Sequence, residues 1–214
     1  KQQSEVKEGV SEVFSENLEL SKIGTEEQYS EYLDSIFPES KVKDVLYHGS
    51  KNNIKGKLKP STSGTFGPGV YLTEDKETAK SRTYNEIDDF TLEPVEGTFE
   101  GDLVSVVIDL KSPAFGQEVD LRQVIINNTY IDIERVSKET KNNDGVVGER
   151  IKGVTKRKEY IVKDTDQIHI LGSKKDIQGF KDFINKDKQP TQEAINLKEY
   201  TNKFNQVLKI SLRE

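Results

Sequence analysis

Two histidines, no cysteine and a surplus of carboxylates leave this chain of 214 residues few side chains suited to bond-making. Three short stretches hold the best of them: Leu46-Tyr47-His48-Gly49-Ser50, then Gly67-Pro68-Gly69-Val70-Tyr71, and far downstream Lys158-Glu159-Tyr160-Ile161-Val162. Each joins an apolar, strand-like run to a group that can hydrogen-bond, stack or carry charge. Loops and helices separate them, so His48, Tyr71 and Glu159 form one site only if the fold brings them together. Without cysteine there is no thiolate nucleophile, no disulfide and no cysteine-rich zinc site, and two distant histidines give little basis for a metal centre.

The order and local setting of these stretches resemble the His-Tyr-Glu class of ADP-ribosyltransferases, the group that includes diphtheria toxin and the poly(ADP-ribose) polymerases. The likeness runs over residues 25–184 and is greatest to small stand-alone domains of phage and mobile-element proteins. It implies an α+β fold, with two small, mostly antiparallel sheets forming a split β-sandwich around a cleft for NAD and helices outside. It also implies transfer of single ADP-ribose units from NAD to a protein acceptor, with release of nicotinamide. NAD is then the substrate, and no metal is implied. A nucleic-acid acceptor, or water in simple NAD hydrolysis, stays open as an alternative. A reading from another class is a non-catalytic virion or scaffold module that keeps the transferase shape, although such a module has no chemical need for that trio of residues.

Breaking the bond between nicotinamide and ribose passes through a cation shared by the anomeric carbon and the ring oxygen, as in glycoside hydrolysis. By resemblance, Glu159 bonds a ribose hydroxyl and stabilises that cation. His48 bonds a ribose hydroxyl, Gly49 lets its backbone approach the carboxamide, and Tyr71 offers an aromatic face. Ser50, in the turn beside them, is expected to line the NAD cleft and belongs to the NAD-binding set. Lys80-Ser81-Arg82-Thr83-Tyr84 is similar to the helical segment in which polymerase relatives place a serine for the carboxamide and a tyrosine stacked on nicotinamide. That likeness brings Ser81 and Tyr84 into the NAD-binding set, although the gap from Tyr71 is longer than in the pattern. A lone histidine at a strand end, or a lone carboxylate at a strand start, is ordinarily structural or solvated; the three motifs together weigh towards chemistry. His169 is expected to be structural.

Two absences narrow the reading. Toxins that modify arginine usually carry Glu-x-Glu, and the first of those positions is Arg157 here, which argues against arginine as the acceptor. No Gly-rich dinucleotide or P-loop fingerprint is present. The net charge of −6 argues against a general grip on a phosphate backbone, whose affinity comes from Lys and Arg displacing counterions. No apolar run approaches the roughly 20 residues that cross a bilayer, and the start Lys1-Gln2-Gln3 has no signal-peptide pattern. A soluble protein acting in a cytoplasm, its own or a host cell's, is expected.

The elements that must position the trio follow from periodicity. Val6, Val10, Val13, Phe14 and Leu18 recur at helical spacing and predict an amphipathic helix within an N-terminal extension, 1–24. Thr25-Glu26-Glu27-Gln28 reads as a capping box that opens a helix to Phe37, with Tyr29, Tyr32, Leu33 and Ile36 facing the sheet. A strand over 42–48, a turn at 49–53, an irregular loop at 57–68 ending in turn glycines Gly67 and Gly69, and a short strand through Tyr71 follow. Thr73 is expected to cap a helix over 74–84. The acidic stretch 85–102 reads as a solvated loop that could border the target-binding face. Strands are expected at 103–110, 124–126, 130–133 and from Val146, with Glu159–Lys163 and 167–171 paired as a hairpin. A helix over 175–184 closes the catalytic unit, 25–184. A C-terminal helical extension, 185–214, carries a helix from Thr191 to about Leu212.

Overall fold

The computed structural model describes residues 5–84, 95, 101–120, 122–152, 155–186 and 200–202. The expected border of a target-binding face lies almost wholly outside these residues, as does most of the C-terminal helix.

Three helices open the chain: α1 (Val10–Glu16), α2 (Leu18–Ser21) and α3 (Glu26–Ile36). The amphipathic period holds for Val10, Val13 and Phe14, all buried, but Leu18 is exposed. Asn17 leaves helical geometry between α1 and α2 (φ −129°, ψ 77°), so the apolar stripe is rotated away at that point. The capping box of α3 forms as expected, Thr25 Oγ1 accepting from the Gln28 amide and Gln28 Oε1 from the Thr25 amide.

Tyr29 and Tyr32 are buried, and their aromatic neighbours lie mainly on helices rather than on the sheet. Tyr29 meets Phe14 of α1 edge-on, and both tyrosines contact Phe180 of the helix Lys174–Lys186. Buried Val10 and Leu20 belong to the same cluster, so the N-terminal segment closes this core. Beneath it, Asp176, fully buried, accepts from the Tyr29 hydroxyl and the Gly172 amide and pairs with His169 at 2.7 Å. His169 is thereby structural, as expected. Burial first, then the Asp176 charge, pushes the Tyr29 phenol well above its usual range.

Among the described residues nine strands form one sheet: β1 (Leu46–Ser50), β2 (Val70–Thr73), β3 (Asp102–Ile108), β4 (Ala114–Glu118), β5 (Gln123–Ile126), β6 (Thr129–Asp132), β7 (Gly145–Lys152), β8 (Thr155–Val162) and β9 (Ile168–Ile170). Their order is β6-β5-β4-β7-β8-β2-β1-β3-β9. Every ladder is antiparallel except β4 with β7. The fold is therefore mixed α and β around a mostly antiparallel sheet.

The ladders are unequal. β1 pairs with β3 over five residues and β2 with β8 over four, whereas β1 meets β2 through the single pair Tyr47 opposite Thr73. The sheet is continuous, one sheet where two were expected, and that single pair joins its two halves.

Several local expectations change. β1 runs on through Ser50 because its ladder with β3 extends to Ser50 opposite Asp102, so Gly49 and Ser50 lie in a strand rather than a turn. Helix α4 spans only Lys76–Lys80, and Asp75 caps it by accepting from the Thr78 amide. Thr73 instead accepts from the Asp75 amide. β8 and β9 are not a hairpin: β8 lies between β7 and β2, and β9 pairs with β3 at the far edge. A 3₁₀ turn, Thr165–Gln167, capped by Asp164, redirects the chain between them. Glu159 consequently sits within a long central strand rather than at its start.

Candidate functional site

His48 occupies β1 where the sheet opens. Its Nδ1 lies 2.8 Å from the carbonyl oxygen of Tyr71 on β2, so the side chain bridges strands that pair only at Tyr47 and Thr73. A carbonyl can only accept, so Nδ1 carries the proton and Nε2 of the neutral ring is an acceptor. Burial, seconded by the nearby Arg82 charge, pulls the His48 pKa below the usual imidazole value despite the opposing bond to Tyr71. The ring is thus held neutral and in one tautomer near pH 7.

Glu159 enters from β8. Register places Thr73 opposite Glu159 and Tyr71 opposite Ile161, so Tyr71, Thr73, Glu159 and Ile161 share one face of the ladder. Glu159 is 4% exposed. Its Oε1 accepts from Arg82 Nη2 at 2.7 Å and lies 3.6 Å from Arg150 Nη1. Its Oε2 is buried and has no hydrogen-bond partner among the described residues. Arg150 in turn donates from Nε to Glu118 at 2.7 Å. The result is a row of alternating charge, Arg82, Glu159, Arg150, Glu118, across β8, β7 and β4.

A carboxylate oxygen left bare in the interior is costly, since folding removes its water without replacing it. Such a group can stabilise a cation or accept from a hydroxyl brought to it. His48 Nε2 and Glu159 Oε2 are each an acceptor open to a ligand hydroxyl; the register sets Tyr47, Thr73 and Glu159 on one face and His48 on the other, with Arg82 linking the His48 cleft to the carboxylate, whose negative charge is available where positive charge develops.

Tyr71 is placed otherwise than expected in one respect. Its hydroxyl donates to the Gly67 carbonyl at 2.7 Å and accepts from the Phe66 amide at 3.1 Å, pinning the loop that precedes β2. Gly67 adopts φ 90° there, a left-handed conformation that glycine takes without strain. Burial, with the Glu159 charge adding to it, pushes the Tyr71 phenol up to about 12, so the hydroxyl stays protonated and the loop stays pinned.

An open cleft of about 660 Å³ lies against this centre, lined by His48, Gly49, Ser50 and Arg82 on one side and by Lys55, Lys57 and Lys59 among others. Arg82 both lines the cleft and pairs with Glu159, and so links the cleft wall to the carboxylate. Gly49 has a packing reason to be glycine: a Cβ there would fall 1.8 Å from the Ala79 carbonyl oxygen of α4. Ser50 also lines the cleft, its Oγ accepting from the Asn52 amide.

His48, Gly49 and Ser50 line the cleft; Tyr71 and Glu159 do not, Tyr71 being joined to His48 through its carbonyl oxygen and Glu159 to the cleft wall through Arg82. The structure does not recruit Ser81, which is exposed and donates to the Thr78 carbonyl at the end of α4. Tyr84 is half-buried beyond the turn that follows α4 and is not among the residues lining the cleft. The cause is the early end of the helix at Lys80, which carries Arg82 rather than Ser81 to the site. Arg82 and Arg150 are the residues that the motifs missed. The signal available was general: a buried carboxylate needs a counter-charge, and each of the two flanking segments supplies one arginine.

Among the described residues no group of three His, Cys, Asp or Glu side chains is arranged to hold a metal ion, and no helix is long and apolar enough to cross a membrane. Comparison of the chain with protein-family models, with curated proteins and with solved structures gives no match.

Proposed function

We propose that the protein is a NAD-dependent mono-ADP-ribosyltransferase that transfers ADP-ribose to a protein acceptor and releases nicotinamide. The observation that carries this reading is the buried Glu159 carboxylate, with one oxygen unpartnered, joined through Arg82 to an open cleft whose wall holds a neutral His48. The resemblance to the His-Tyr-Glu class calls for His48, Tyr71 and Glu159 at one site, and the links that support it are the bond from His48 Nδ1 to the Tyr71 carbonyl and the Arg82 side chain that lines the cleft and pairs with Glu159. The single ladder pair between β1 and β2 is the place at which a split sandwich would divide, within what is one continuous sheet.

In this mechanism His48 Nε2 accepts from a ribose hydroxyl and fixes the sugar. The lysines of the cleft and Arg82 suit a diphosphate. A diphosphate entering the cleft competes with Glu159 for the Arg82 guanidinium, and Glu159 is then released to bond the second sugar hydroxyl. The bond from C1′ to the nicotinamide nitrogen breaks, and its electron pair returns to the pyridinium ring, which leaves neutral. The carboxylate stabilises the positive charge left on C1′ and the ring oxygen, and a lone pair of the acceptor closes on C1′.

The test is incubation of the purified protein with NAD labelled in its adenylate half, together with cell lysate. Free nicotinamide and labelled protein bands are the expected products. Absence of both at micromolar protein would end this reading and favour the non-catalytic module.

A further inference from the structure

We infer that the dinucleotide taken by this cleft carries a third phosphate, so that NADP rather than NAD is the preferred donor. The inference rests on the transferase reading above and assigns the first substrate of the same site.

The wall of the cleft is cationic. Lys51, Lys55, Lys57, Lys59 and Arg82 line it, and among the described residues no Asp or Glu does. Carboxylates stand behind that wall. Glu159 pairs with Arg82 and Asp166 with Lys57; Asp164 is near Lys57 as well, and Lys175 near Asp166. Asp102 accepts from the Ile54 amide. Together these set six cations against four carboxylates, which leaves two positive charges in surplus on a chain whose net charge is −6. Lys55 and Lys59 enter none of these pairs.

The loop that bears the lysines is anchored. Ile54 is tied through its amide to Asp102, Leu58 is buried in the core that also holds Leu46 and Val106, and Ser61 and Gly69 exchange two backbone hydrogen bonds. Gly56, at φ 87°, turns the chain between Lys55 and Lys57. Lys55, Lys57 and Lys59 therefore alternate with Ile54, Gly56 and Leu58, and their backbone is fixed before a ligand arrives. Lys57 reaches Asp166, in the turn before β9, and β9 lies two strands beyond β1 in the order β1-β3-β9. Strand spacing sets that part of the loop roughly 10 Å from β1, which carries His48. With the nicotinamide ribose at His48 and the diphosphate at Arg82, the adenosine ribose extends towards these lysines.

NAD gives them too little to bind. Each of its two phosphates carries one negative charge, and the pyridinium ring offsets one of these. A phosphomonoester carries about −1.5 to −2 charges at pH 7 and presents three strong acceptor oxygens. A lysine ammonium meets such a group as a point charge. Placed on the 2′ oxygen of the adenosine ribose, that group is the whole difference between NADP and NAD.

Calorimetry on the full chain with NAD, NADP, ADP, 2′,5′-ADP and ATP, beside nicotinamide release from both dinucleotides, is the test. NADP should bind about tenfold more tightly than NAD, the factor that one charge-assisted contact supplies, and kcat/KM for nicotinamide release should favour it equally. The fragment 2′,5′-ADP should exceed ADP in the same way. Lys55 and Lys59 are exposed, so their replacement leaves the core untouched. Lys55→Ala with Lys59→Ala should bring the ratio of NADP to NAD affinity to about one, whereas Lys55→Arg with Lys59→Arg should retain it. Equal affinity for the two dinucleotides, ATP binding as tightly as 2′,5′-ADP, or a ratio unmoved in the alanine variant overturns the inference. Nicotinamide released from NAD in any of those cases leaves the transferase reading standing. No nicotinamide released from either dinucleotide removes that reading and this inference with it.

Discussion

Arg82→Ala removes the 2.7 Å charge-assisted bond to Glu159 Oε1 and leaves a carboxylate that is 4% exposed with Arg150 at 3.6 Å as its remaining cation. Stripping one partner from a fully buried ion pair costs about 3–5 kcal/mol. Arg82 is itself about one-third exposed, so water enters the vacated space and the expected loss is smaller, about 2 kcal/mol, the range for a hydrogen bond to a charged group. In a domain of this size that lowers Tm by about 4–8 °C. Urea denaturation followed by circular dichroism at pH 7.5 measures it. A cycle with Glu159→Gln isolates the pair: once the carboxylate is a neutral amide the missing cation matters less, so the double variant should lose less than the sum of the singles by about 1–2 kcal/mol. A loss below about 0.5 kcal/mol in Arg82→Ala, or strict additivity, would show that Arg82 does not hold Glu159.

Gly49→Ala places a methyl group 1.8 Å from the Ala79 carbonyl oxygen, where backbone must yield; overpacking of that kind costs about 1–3 kcal/mol, and an unchanged urea midpoint would refute the contact between α4 and β1. For His48 the sign follows from its lowered pKa. The unfolded chain binds the proton first, so the stability from keeping His48 neutral is complete above about pH 6.5 and is lost as pH falls through the lower folded value. Cleavage of NAD should decline over the same acid range, because a protonated ring turns Nε2 from acceptor to donor. His48→Asn should flatten this acid loss of stability relative to the parent, and identical slopes in the two proteins would contradict the assignment.

What the sequence made legible is the part governed by local rules. The Thr25 capping box, the buried face of α3 and the strand runs around His48, Tyr71 and Glu159 all depend on spacing over a few residues, and each is found. Pairing over long distances was not legible. A short polar link between β8 and β9 reads as a hairpin, yet β9 crosses to pair with β3. β4 carries Gly116 and Gln117 among few β-formers, and its strand character comes from the ladders with β5 and β7. Arg82 and Ser81 differ by one residue, and which of them meets Glu159 depends on where α4 stops. That end is a run of three-residue turns, Arg82 and Thr83 amides donating to the Ala79 and Lys80 carbonyls and the Ser81 and Thr83 hydroxyls to Thr78 and Lys80.

The central claim is that Glu159 acts on the transition state of NAD cleavage. Glu159→Gln keeps the shape and a hydrogen-bonding oxygen for Arg82 while removing the charge. Steady-state nicotinamide release and NAD affinity by calorimetry, measured on the same preparations, separate the two contributions. The account predicts a fall in kcat of about a hundredfold to a thousandfold with NAD affinity changed far less. Equal turnover in Glu159→Gln and the parent protein would contradict it.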